Sequence, residues 1–114
     1  METSLASGQC APCRAGTPPV TATESAPLLA QLVDWTIIDQ HHLGKTYRFP
    51  DFATALAFVN RVGALAEAED HHPDIELGWG RVALKIWTHS IGGLSRNDFI
   101  LAAKIDEIIM NYEL

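Results

Sequence analysis

The chain has no run of lysine or arginine anywhere in its length. Binding to a nucleic-acid backbone rests on clustered cations, so that class is excluded as an expectation. No apolar run approaches the roughly 20 residues that a membrane helix needs. The start, METSLASGQC, lacks both a basic n-region and an apolar h-region, and so does not read as a secretory signal. A cytoplasmic location is expected, with no membrane partner. Cysteine is scarce too. Cys10 and Cys13 form the single Cys-x-x-Cys pair, too few thiols for a disulfide framework. A zinc site usually needs four ligands, and no second pair or nearby histidine completes one here. A redox Cys-x-x-Cys normally opens a helix after a strand, whereas this one lies in GQCAPCRAGTPPV. Reduced, loosely held thiols are the leading reading. A metal site shared with another chain and a redox pair remain open.

What is present fits one domain. The 114 residues carry 47% hydrophobic and 19% charged side chains with a formal charge of −6, a balance that supports one modest core. Residues 1–22 are rich in Ser, Gly, Pro and Thr and read as an arm with mobile character. Residues 23–114 read as a single domain. SAPLLAQLVD suggests a short helix capped by Thr23 or Ser25, with Pro27 in its first turn and Leu28, Leu29 and Leu32 on its apolar face. WTIID and LGKTYRF, joined through Gln40, His41 and His42, suggest a hairpin. DFATALAFVNRVGALAEAED suggests a helix capped by Asp51, with Phe52, Leu56, Val59, Val62 and Leu65 as its stripe. A second hairpin is expected from Asp74–Trp79 and Arg81–Thr88, turning near Gly78 and Gly80. The second of these strands alternates Val82, Leu84, Ile86 and Thr88 with Arg81, Ala83, Lys85 and Trp87. Ser95 and Asp98 resemble a capping box ahead of a last helix, Arg96 to about Tyr112, with Phe99, Ile100, Ala103, Ile105, Ile108 and Ile109 on its apolar side. The order α-β-β-α-β-β-α implies an α+β fold, with a four-stranded, largely antiparallel sheet and helices on one face.

Three of the five histidines fall in EDHHPDIELGWGRVALKIWTHS. His71 and His72 follow the long helix, and Pro73 favours an extended backbone at His72. Adjacent side chains of an extended segment point opposite ways, so one of the two is expected to face a pocket more squarely. His89 ends the second hairpin, and a turn near Gly78 and Gly80 brings it back toward His71 and His72. Imidazoles titrate near neutral pH, and a cluster suits a reaction that protonates one atom while deprotonating its neighbour. A bland alternative is a helix end whose carbonyls and dipole favour histidine. A metal site is a third, weakened because adjacent histidines rarely supply two good ligands. His41 and His42 read as solvated turn residues. Glu67, Glu69 and Asp70 read as a solvated helix end, and Trp79 and Trp87 as packing or interface residues. Asp98 is first a cap, within reach of His89 or a ligand.

The spaced set Glu67, His71-His72-Pro73, Trp79, Thr88-His89, Gly93-Leu94-Ser95 and Asp98 resembles the signature of the pterin-4a-carbinolamine dehydratases. The resemblance runs over roughly residues 24–112, and the Cys-x-x-Cys arm is similar to that of some bacterial members. It implies a reaction: removal of water from 4a-hydroxytetrahydropterin to give quinonoid dihydropterin, recycling the cofactor of aromatic amino-acid hydroxylases. No metal and no organic cofactor is implied. The resemblance makes His71 and His89 the acid–base pair and His72 the residue that mainly holds the pterin and shares in proton transfer. Pro73, Thr88, Ser90 and Ile91 become pterin contacts. Asp98 becomes a group orienting His89 or the ring. A homodimer or homotetramer is implied, and a functional link to a hydroxylase. Two other readings stay open: a pterin-binding or protein-partner regulatory module without turnover, and a role linked to molybdopterin enzymes.

Overall fold

A computed structural model of the chain describes residues 5–11 and 14–111. Helix α1 spans Ala22–Leu29, strands β1 and β2 span Thr36–Ile38 and His42–Arg48, and helix α2 spans Phe52–Glu69. Strands β3 and β4 span Asp74–Gly78 and Arg81–Ile86, and helix α3 spans Arg96–Asn111. Tyr112, the expected end of α3, lies outside the described residues. The four strands form one antiparallel sheet in the order β1-β2-β4-β3. The fold is α+β, with the α-β-β-α-β-β-α order that the sequence implies.

Alternation in the strands decides which face is covered. Val82, Leu84 and Ile86 of β4 and Leu43 and Tyr47 of β2 point into the core, joined by Phe58 and Val62 of α2 and Phe99, Leu101 and Ile105 of α3. The β3–β4 turn is Trp79-Gly80. Gly80 has a φ of 65°, and a Cβ there would sit 2.8 Å from the Phe49 carbonyl oxygen, so glycine is required on both counts.

Helix boundaries and faces depart from expectation in two places. Helix α1 starts ahead of both residues expected to cap it. Thr21 is the cap and Glu24 completes a reciprocal capping box, which leaves Pro27 inside the helix rather than in its first turn. Helix α2 is capped by Asp51 as expected, its side chain accepting the Thr54 N–H at 2.8 Å. Its core face, however, is Ala55, Phe58, Val62 and Ala66, while Phe52 and Leu56 are 44% and 40% exposed. The alanines let the helix approach the sheet closely. A count of large apolar residues alone therefore selects a stripe rotated off the true one.

Asp106 of α3 ties the helix to the sheet. Its carboxylate accepts from Trp35 Nε1 (3.0 and 3.1 Å), Tyr47 OH (2.5 Å) and Lys45 Nζ (2.8 Å). Burial, then Asp106, push the Tyr47 hydroxyl well above its ordinary range. The carboxylate is thus satisfied on all sides in a place where an unpaired one would be costly.

Residues 5–11 fold against this domain. Leu5 is a core residue, 2% exposed, and Lys104 Nζ donates to the Ala6 carbonyl at 2.9 Å. Val20 N–H donates to the Leu94 carbonyl at 2.8 Å. Leu5 and these backbone contacts join the described part of the arm to the domain.

Candidate active site

Helix α2 ends at Asp70, whose φ of 52° is left-handed. Aspartate tolerates that conformation better than most side chains. It turns the chain sharply, and Pro73 keeps His72 from re-entering a helix. The His71 N–H closes the end by bonding the Ala66 carbonyl at 3.2 Å. His71 and His72 thereby leave the helix on different paths. The His71 Nε2–H donates to Asp98 Oδ1 at 2.6 Å, inside the protein, where the two side chains are 12% and 0% exposed. His72 Nε2 meets Glu67 Oε2 at 2.5 Å, where the side chains are 52% and 79% exposed. Of the two, His71 is the buried side chain and His72 the exposed one.

Asp98 is more than a cap. Its Oδ2 accepts from the Ser95 N–H at 2.8 Å, which is half of the expected capping box, and from Thr88 Oγ1 at 2.9 Å. The Ser95 hydroxyl goes to Thr88 Oγ1 at 2.7 Å and not to the helix backbone. The carboxylate orients His71, where the sequence left His89 or a ligand as its partner. A fully buried carboxylate that fixes one ring nitrogen selects the imidazole tautomer and leaves Nδ1 for proton exchange.

Thr88 pairs with Gly93 across a tight turn, and His89–Ile91 form a single turn of 3-10 helix inside it. That turn lifts His89 into the open. Its ring packs on Trp87 with centroids 4.3 Å apart. A cavity of about 250 Å³ brings His71, His72, Thr88, His89 and Ser90 together. Pro73, Ile91 and Asp98 are not on its lining; Asp98 lies beneath it, bonded to His71.

Several lining residues were not singled out as site residues. Glu69 and Asp70, taken for a solvated helix end, line the cavity, as do Trp87, Asn97, Cys10 and Ala11. The alternation in β4 puts Trp87 opposite the core face, but only the fold shows what it meets there. Cys10 packs against the core, and its backbone N–H donates to Glu69 Oε1 at 3.0 Å. Burial, reinforced by Glu69, pushes the Cys10 thiol up to about 12, so it stays protonated at neutral pH. Cys13 lies outside the described residues. His41 and His42 are half-buried rather than solvated, with ring centroids 5.3 and 6.0 Å from Trp87. Among the described residues no group of three or more His, Cys, Asp or Glu side chains is placed to hold a metal ion. No helix among them is long and apolar enough to cross a membrane.

Residues 18–108 match the family described as pterin 4 alpha carbinolamine dehydratase. The chain belongs to this family. A protein of Rubrobacter xylanophilus named "Putative pterin-4-alpha-carbinolamine dehydratase" is 49% identical over 91% of this chain and 97% of its own. One of the same name from Rickettsia bellii is 48% identical over 90% and 92%. Among solved structures, a transcriptional coactivator/pterin dehydratase from Brucella melitensis superposes with a TM-score of 0.75 at 31% identity, covering 79% of this chain and 97% of that one. A pterin dehydratase-like protein described as a RuBisCO assembly factor of the alpha-carboxysome shares the fold at 24% identity and a TM-score of 0.59.

Proposed function

We propose that this protein removes water from 4a-hydroxytetrahydropterin, with His71 and His89 as the acid–base pair. The observation that carries the reading is the His71–Asp98 contact beneath a cavity that also holds His72 and His89, in a chain of this family. Dehydration breaks the C4a–O bond and removes the N5 proton. One imidazole delivers a proton to the departing hydroxyl, which leaves as water, and the other accepts the proton from N5. The product is the quinonoid dihydropterin, and the two histidines end with one proton exchanged between them. Positioned acid–base groups of this kind contribute roughly 10²–10⁴ in rate. Asp98 holds His71 in one tautomer. His72, tethered to Glu67 at the rim, holds the pterin and shares in proton transfer. Thr88 and Ser90 complete the binding surface.

The reading extends to context. The protein works as a homodimer or homotetramer in the cytoplasm and returns pterin to an aromatic amino-acid hydroxylase. Stopped-flow decay of 4a-hydroxytetrahydropterin tests the chemistry. Wild type is expected to accelerate the decay and His71→Ala to lose most of the acceleration. Wild-type decay no faster than buffer overturns the reading. The coactivator half of the Brucella protein's description favours a second reading, a partner-binding module. Turnover by the isolated protein at substoichiometric amounts, with no partner present, decides for the enzyme.

A further inference from the structure

The cavity has a side that the histidines do not build. Cys10 and Ala11 line it, and they come from the N-terminal arm. Two side chains of the domain hold them there. Asn97 pairs with Ala11 through both halves of its amide: Oδ1 accepts the Ala11 N–H at 2.9 Å, and Nδ2 donates to the Ala11 carbonyl at 2.5 Å. Glu69 takes the Cys10 N–H, and the Cys10 thiol lies 3.6 Å from the Asn97 carbonyl oxygen. Asn97 is 7% exposed, so its amide is committed to an interior partner. The chain is also anchored upstream at Leu5 in the core and downstream at Val20 on Leu94. Residues 10 and 11 are therefore a clamped span between fixed points, on the rim of the proton-transfer site.

We propose that this span is a closing wall of the pterin pocket and that Asn97 is a positioning residue, setting substrate affinity by keeping the wall docked. The proposal rests on the reading of this cavity as the pterin site. A flat heteroaromatic ring needs a slot with two sides, and the arm supplies one that the His71–His89 constellation lacks. Ligand that binds only the docked form has its apparent affinity divided by the docked fraction. Loss of the Asn97 clamp then weakens binding without altering the chemistry of the bound state, because bound substrate has already selected the docked wall. Coupling is reciprocal, so the ligand must also hold the arm.

The test uses the full-length chain, Asn97→Ala, and Asn97→Asp. The aspartate keeps an acceptor for the Ala11 N–H and loses the donor to its carbonyl. Calorimetric titration with 7,8-dihydropterin is expected to show Kd raised roughly tenfold in Asn97→Ala, as for a docked fraction of about one tenth. Asn97→Asp should fall between that variant and wild type. Turnover should show the same rise in KM with kcat held within about threefold. Iodoacetamide labelling, with Cys10 resolved from Cys13 by mass spectrometry, reports the wall directly. Cys10 is expected to label at least tenfold faster in Asn97→Ala, and 7,8-dihydropterin to slow it in wild type. Unchanged KM and unchanged Cys10 labelling in both variants, with wild type active, overturn the wall and leave the dehydratase reading standing. A wild type that neither binds dihydropterin nor dehydrates the carbinolamine overturns both.

Discussion

The chain carries the same dipeptide twice, His41-His42 and His71-His72, and the two pairs have different fates. His41-His42 sits at the β1–β2 turn, behind two left-handed residues, Asp39 and Gln40. Its two rings meet edge-on, Nδ1 to Nδ1 at 3.1 Å, and rest on Trp87. His71-His72 sits at a helix end, behind one left-handed residue, and its rings diverge to two carboxylates. A pair bonded to itself has one ring donating to the other and no carboxylate to fix either tautomer. A pair whose members are each fixed at one nitrogen by a carboxylate keeps the other nitrogen for a substrate. The dipeptide is not the signal; the acceptor that each ring finds is.

The largest effect is expected from breaking the inner anchor. His71→Ala should lower the dehydration rate by roughly 10²–10⁴, whereas His41→Ala should leave it within about twofold. Asp98→Asn sharpens the same point. Asparagine offers one acceptor oxygen where Asp98 uses two, for His71 on one side and Thr88 and Ser95 on the other. Activity should fall at least tenfold while the fold persists, with a shifted pH–rate profile. Equal activity in Asp98→Asn would mean that the buried carboxylate serves the helix start alone.

The outer anchor should matter less. On the proposed reading His72 mainly holds the ring, so His72→Ala is expected to raise KM by roughly tenfold, the scale of one good binding contact, with a smaller loss in kcat. Glu67→Gln removes an exposed partner, and exposed ion pairs contribute about 0–1 kcal/mol, so stability by urea unfolding should barely move. A stability loss beyond about 2 kcal/mol would show that Glu67 carries more than its exposed position allows.

Much of this difference was legible along the chain, and some was not. The strand alternation from Val82 to Thr88 and the Asp51 cap fixed the order and faces of β4 and the start of α2 locally. His71, His72 and His89 were drawn together by reasoning about one hairpin. The Asp106 cluster was not seen, nor the arm on Asn97, because both join residues far apart in sequence: Asp106 to Trp35, and Asn97 to Ala11. Such contacts leave no periodic trace. The His41-His42 pair, read as solvated, was misjudged for the same reason. A turn residue looks solvated until the strand that shelters it is placed alongside.

The smallest effect separates the two pairs by pH. His42 is held below its ordinary value of 6.5 by burial first, then by His41, then by Lys85. For a base the sign follows directly: below about pH 6.5 the unfolded chain takes up a proton that the folded His42 resists, so acid favours unfolding. His42 therefore adds a loss of stability as pH falls from about 6.5, and adds none above it. His42→Gln removes the titrating group and keeps a polar side chain beside Trp87. Urea midpoints at pH 7.5 and 5.5 should differ less in the variant than in wild type, with dehydration activity at pH 7.5 unchanged. The two proteins losing the same stability on acidification would show that the pair is solvated enough to titrate freely. In that event the contrast with His71-His72 would rest on the carboxylates alone, without the sheltering of His41-His42 by Trp87.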